Sequence, residues 1–176
     1  MQREIRPDNG AFLPAAFREV GMNTGNGGNA VELDILLSIL TAKDTKQGYG
    51  AFLELERLSE ETDDLYPYTE RLADMVNDRA WAVQCRGFRL FCRQARWDTE
   101  GVIDRDLDRA LAILEDEKPT AVRQALAALL DVVPYKRELW PVIRQRVEVM
   151  DLNRYKDSMA PLIQKDIQKL LDAMQA

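Results

Sequence analysis

Histidine is absent from all 176 residues. That removes the commonest general base, the commonest metal ligand, and every Ser-His or Cys-His nucleophile pair. Only two cysteines occur, Cys85 and Cys92, too few without histidine for a structural zinc site, which needs four ligands. Seven residues apart in one predicted helix, their Cα atoms would sit about 10.5 Å apart, beyond the roughly 7 Å that a disulfide spans. Both are expected to be reduced core residues. The sequence also lacks a glycine-rich phosphate loop, a G-x-S-x-G elbow and an EF-hand loop. No run approaches the ~20 apolar residues of a membrane span, and the N-terminus has no secretory apolar stretch. Strand-like alternation over six or more residues is missing. The chain is expected to be cytoplasmic, with no metal, no cofactor and no membrane association.

What is present is ordinary globular material, 46% hydrophobic and 31% charged, with a net charge of −6. Residues 1–29 read as a flexible N-terminal segment. Ala11–Val20 is a possible short helix there, followed by the helix-breaking run Gly21–Asn29. Residues 30–176 read as one domain of eight helices in four antiparallel pairs: about 30–41 with 45–60, 64–76 with 79–96, 99–114 with 118–133, and 136–149 with 156–174. Asp44-Thr45-Lys46-Gln47 has the form of a capping box, Asp98 is a candidate cap, and Pro67 suits a helix's opening turn.

A long period runs through these pairs. Asn77-Asp78-Arg79-Ala80-Trp81-Ala82-Val83 is followed 39 residues later by Asp116-Glu117-Lys118-Pro119-Thr120-Ala121-Val122, with Leu90 and Leu129 also in register. The acids Asp44, Asp78, Asp116 and Asp157 recur at spacings of 34, 38 and 41. A repeat of roughly 35–40 residues built from helix pairs points to a stacked helical array, and such arrays mostly bind other molecules. Leu107, Leu111 and Leu114, with Leu126, Leu129 and Leu130, make a stripe too wide for one hairpin to bury. Lys165, Asp166, Lys169 and Asp172 give the last pair the polar side of a terminal repeat.

The acidic turn, then Val122-Arg123, then alanines and leucines at helical spacing resembles the second helix of HEAT repeats. Pro141 within Leu139-Trp140-Pro141-Val142 resembles the proline of a HEAT first helix. Residues 44–174 also resemble small single-domain bacterial HEAT-like proteins, at Leu65-Tyr66-Pro67-Tyr68, Arg86-Gly87-Phe88-Arg89-Leu90, Ala95-Arg96-Trp97-Asp98 and Tyr155-Lys156-Asp157-Ser158-Met159. The resemblance implies an all-α, right-handed α-α superhelix, a HEAT-like solenoid of about four helical hairpins. It further implies that second helices line a concave face, and that a turn acid and a later cation form a ladder between repeats. Asp116 or Glu117 with Arg123 fits that ladder; Asp78 with Gln84 departs from it.

One chemical feature stands out. Arg79, Arg86, Arg89, Arg93 and Arg96 have no acid among them, and on a helical wheel they fall within roughly a 100° arc. Val83, Cys85, Phe88, Leu90, Phe91 and Cys92 fill the rest, with Trp81, which is expected in the core. Trp97 falls beside the arginines and could stack on a ligand or on Arg93; Trp140 is expected to pack under the third turn. Two readings of the stripe stay open. It grips carboxylates, phosphates or an acidic peptide, or it is consumed by the acid-rich segments 54–78 and 98–117, with Glu54 and Glu61 as candidate partners. The leading functional expectation is a non-catalytic module binding a protein or peptide partner through Arg79, Arg86, Arg89, Arg93, Arg96 and Trp97. The alternative is a nucleic-acid-binding protein resembling HEAT-like DNA alkylation-repair glycosylases, which the net negative charge disfavours.

Overall fold

The computed structural model describes residues 26–42 and 45–175, with side chains from Ala30 onward. The predicted helix at Ala11–Val20 and the acidic member of the capping box, Asp44, lie outside the described residues. All regular structure among the described residues is helical. The helices are α1 (Asn26–Leu40), α2 (Thr45–Glu61), α3 (Thr69–Asp74), α4 (Trp81–Arg93), α5 (Val102–Ala110), α6 (Pro119–Leu129), α7 (Trp140–Glu148) and α8 (Ala160–Ala173). Short 3-10 turns extend α3, α4 and α5 and precede α3, α7 and α8.

Sequence boundaries and structure agree to within a few residues at most ends. One difference is at the start. Asn26–Asn29 form the first turn of α1, although they belong to a run rich in helix breakers. Glycine costs up to about 1 kcal/mol in a helix interior, but opening-turn amides have no helical acceptor to lose. Burial of Leu33, Leu36, Leu37 and Leu40 then holds the helix that follows. Asp98 serves α5 from further back than expected: the helix starts at Val102 with Gly101 at the cap position, and the Asp98 carboxylate, three residues before that glycine, accepts from the amides of Val102 at 2.8 Å and Ile103 at 3.1 Å.

The contacts between elements are local and ordered. α1 packs on α2, and α3 on α4. The even-numbered helices touch in sequence, α2 to α4, α4 to α6, and α6 to α8, while α3 packs on α5. Arginines on one set of helices reach back to acids one period earlier. Arg71 meets Asp34, Arg105 meets Glu70, Arg109 meets Asp74 and Arg146 meets Asp108, at separations of 37, 35, 35 and 38 residues. The expected ladder from Asp116 to Arg123 does not form. Asp116 accepts from the amide of Lys118, and Arg123 points forward to Asp166 on α8 at 2.5 Å.

A single apolar cluster runs from Leu33 to Met174. Leu107, Leu111, Leu126 and Leu129 are fully enclosed, whereas Leu130 is only partly covered. Cys85 and Cys92 are reduced and buried; burial pushes the Cys85 thiol up to about 11 and also holds Cys92 well above the usual thiol range. Gly87 permits a close approach between α4 and the end of α3. A Cβ there would sit 2.3 Å from Met75 Cβ and 3.0 Å from the Leu72 carbonyl, so α4 could not press against the end of α3.

Candidate functional site

α4 presents the arginine stripe to α2, but not as five equivalent cations. The helix begins at Trp81, so Arg79 precedes it and loses its place on the wheel; it is exposed. Arg89 donates through Nε to Glu56 at 3.0 Å. Arg93 joins Glu56 at 3.0 Å and Glu60 at 2.7 Å. Both lie near Asp131, at 3.8 and 3.9 Å. Burial raises the Asp131 carboxyl above its ordinary range, and Arg89 and Arg93 only partly counter it. The partners are therefore Glu56 and Glu60, not Glu54 and Glu61. Those two flank Arg57 on their own helix at i−3 and i+4, and both bind it at 2.7 Å. Helical phase decides this: residues three or four apart share a face, and the Arg57 face points away from α4.

Arg96 and Trp97 serve the same seam. Arg96 donates to the Glu60 carbonyl at 3.2 Å and lies 5.0 Å over the Trp97 ring. The indole N–H donates to the Ser59 carbonyl at 2.9 Å. The cation stacked on Trp97 is thus Arg96 rather than Arg93, and both residues satisfy the last carbonyls of α2. Trp140 does the equivalent at the turn after α6, donating to the Val133 carbonyl at 3.0 Å.

Arg86 differs from the rest. Only 9% of it is exposed. Its Nη2 donates to the Thr45 carbonyl at 3.0 Å, and its guanidinium carbon lies 5.9 Å from the Tyr49 ring centre. It forms no ion pair with a described residue, and burial lowers its pKa, the opposite of what Arg93 experiences. Gly48 makes the room: a Cβ there would fall 2.5 Å from Arg86 Nη1. A glycine in the opening turn of α2 therefore lets a guanidinium lie directly on the backbone.

Arg86 lines a hollow of about 440 Å³ between α2, α4 and α6. Tyr49, Phe52 and Trp81 form aromatic walls, and Ala82, Cys85 and Ala127 are the small residues that leave it open. Arg89, Glu56 and Gln124 complete the lining. Trp81 is not a core residue: it is 36% exposed, with Lys118 Nζ 5.1 Å from its ring centre. Its position as the first residue of α4 explains the difference, because among the described residues no element covers that end of the helix, where the wheel alone would place it inside. The size suits one or two side chains or a small ligand.

Two of the six sequence-predicted residues, Arg86 and Arg89, meet at this hollow. Arg93, Arg96 and Trp97 stitch α4 to α2, and Arg79 stands outside the helix. Tyr49, Phe52, Gln124 and Ala127 were not singled out by sequence. One signal was available: Gly48 and Gly87 are 39 residues apart, the same interval as Val83 and Val122, and both mark a close approach. Among the described residues no group of three or more acids or cysteines is placed to hold a metal ion, and no helix is long and apolar enough to cross a membrane. No protein-family model matches the chain, and neither curated proteins nor solved structures match it.

Proposed function

We propose that this chain is a non-catalytic interaction module, a HEAT-like solenoid of four hairpins that holds a segment of a partner protein in the groove of its second helices. The observation that carries the reading is the aromatic-walled hollow between α2, α4 and α6, with a buried cation on its wall that no acid among the described residues answers. Support for the solenoid comes from the order of helix contacts and from ion pairs that recur one period apart. In such a stack, each hairpin buries its faces only against its neighbours, leaving one face of the even helices free for a guest. The chain has no histidine, and the described acids that share a partner, Asp98 with Asp104 and Glu56 with Asp131, do so across a lysine or an arginine. The stripe offers little for a nucleic-acid backbone, because Glu56, Glu60 and Asp131 already neutralise Arg89 and Arg93.

Photo-crosslinking tests this reading. A benzophenone amino acid is placed at Tyr49, on the groove, and separately at Asp108, an exposed residue of α5. The expected result is a discrete partner adduct from Tyr49 that Asp108 does not give. The same adducts from both positions, or none from Tyr49, would remove the groove as the binding face.

A further inference from the structure

We infer that the hollow beside Arg86 is a receptor for a single carboxylate flanked by an apolar side chain, presented by the partner segment. This inference rests on the interaction-module reading and specifies its chemistry. A buried cation ordinarily has an acidic partner, because desolvation of an unanswered charge is costly. Arg86 is nine-tenths buried, gives one hydrogen bond to a carbonyl, and among the described residues has no carboxylate in reach. Its remaining N–H groups are those a carboxylate accepts from in a bidentate pair.

The hollow's charge fixes the valence of the guest. Arg86 and Arg89 contribute two positive charges to the wall and Glu56 one negative. Arg89 is already committed to Glu56 at 3.0 Å, with Asp131 beyond it. One positive charge is left, which suits a monoanion. A phosphate dianion would require a second free cation and would face Glu56. The remaining surface is apolar and aromatic, so the carboxylate comes with a hydrocarbon neighbour. Tyr49, Phe52 and Trp81 supply flat faces for it, over the small side chains of Ala82 and Ala127. An aspartate or glutamate next to an aromatic or aliphatic residue, within an otherwise neutral stretch, meets both requirements.

The test uses the full chain, labelled for NMR, with the Arg86 guanidinium N–H signals and the Gly48 amide as reporters. Two probes are the peptides Ac-Ala-Phe-Glu-Ala-NH2 and Ac-Ala-Phe-Gln-Ala-NH2; two more are 3-phenylpropionate and phenyl phosphate. The glutamate peptide is expected to shift the reporters saturably and to bind at least tenfold more tightly than the glutamine peptide. Arg86→Met is expected to abolish that tenfold preference. Should Arg86→Met not fold, Ala127→Leu, which fills the hollow from an exposed position without touching the arginine, is expected to weaken the glutamate peptide tenfold. Equal affinity for the two peptides, or phenyl phosphate binding more tightly than 3-phenylpropionate, would overturn the carboxylate assignment while leaving a peptide groove standing. Binding of 3-phenylpropionate with no response to either peptide would keep the anion site and overturn the interaction module. No response to any probe overturns both.

Discussion

Arg86 and Lys136 are the two buried cations among the described residues, at 9% and 7% exposure, and they are built on opposite plans. Lys136 sits between carboxylates, with Asp98 at 2.8 Å and Asp104 at 2.5 Å. Burial alone would lower its pKa, but those acids more than reverse that. Asp98 is itself saturated. It accepts from the Tyr66 hydroxyl at 2.6 Å and from the opening amides of α5, and these bonds with Lys136 overcome burial and hold it below the usual carboxylate range. One cluster thus fastens Tyr66, the start of α5 and the segment before α7. Arg86 instead rests on one carbonyl and over the Tyr49 ring, beside an open hollow. A closed polar network does structural duty, whereas a half-satisfied one is costly unless something completes it.

The comparison breaks most sharply if Lys136 can be removed cheaply. Lys136→Met leaves Asp98 buried with no cation, and breaking a buried pair in this way costs about 3–5 kcal/mol. Urea unfolding should show that loss as a lower midpoint with unchanged slope. Arg86→Met is the counterpart. It loses one hydrogen bond to Thr45, worth about 1 kcal/mol, and is relieved of a buried charge that no described acid compensates, so its stability should stay within about 1 kcal/mol of wild type. A loss as large as that of Lys136→Met would make Arg86 a structural cation and would end its role as a receptor.

A smaller effect separates two aspartates by pH. Asp98 has a depressed pKa when folded, so its contribution is present above its unfolded pKa and is lost as pH falls through the folded value. Asp131 is shifted the other way. Its protonated form favours the folded state, and that contribution is lost as pH rises through its raised folded pKa. Asp98→Asn should therefore be markedly destabilising at neutral pH, less so in acid. Asp131→Asn should be more stable than wild type at neutral pH, with the difference vanishing below the ordinary carboxylate range. Thermal unfolding of the two variants across pH 3 to 7 reads both slopes, and parallel slopes would contradict the assigned directions.

Helix positions were legible because they follow from apolar periodicity, caps and prolines, all of which are local. Leu90 and Leu129 fall in register because both fill equivalent places in the core. Pairing was not legible. Whether Glu54 or Glu56 meets α4 turns on helical phase about a contact that sequence does not display, and the Arg57 bridges follow from the same phase. The stripe itself was visible, but its division into paired Arg89 and Arg93 and unpaired Arg86 was not, because it depends on what α2 places opposite each one. Trp81 looked interior on a wheel that knows its angle but not that Trp81 is the first residue of the helix, an end that no described element covers.

The finest form of the comparison lies at Gly48, where backbone and guanidinium meet. Alanine at this site, in the opening turn of α2, would gain only part of the roughly 1 kcal/mol of helix propensity found in a helix interior, and its Cβ would fall 2.5 Å from Arg86 Nη1 and 3.3 Å from the Leu40 carbonyl. The guanidinium is the end of a flexible side chain and can swing aside, whereas the carbonyl cannot. Gly48→Ala should therefore change stability by only a few tenths of a kcal/mol, yet displace Arg86 enough to weaken the glutamate peptide several-fold. In the Arg86→Met background the same alanine should leave the remaining peptide affinity unchanged. Additive effects of the two substitutions on binding would mean that Gly48 does not act through the arginine, and the close contact between them would then be incidental to the site.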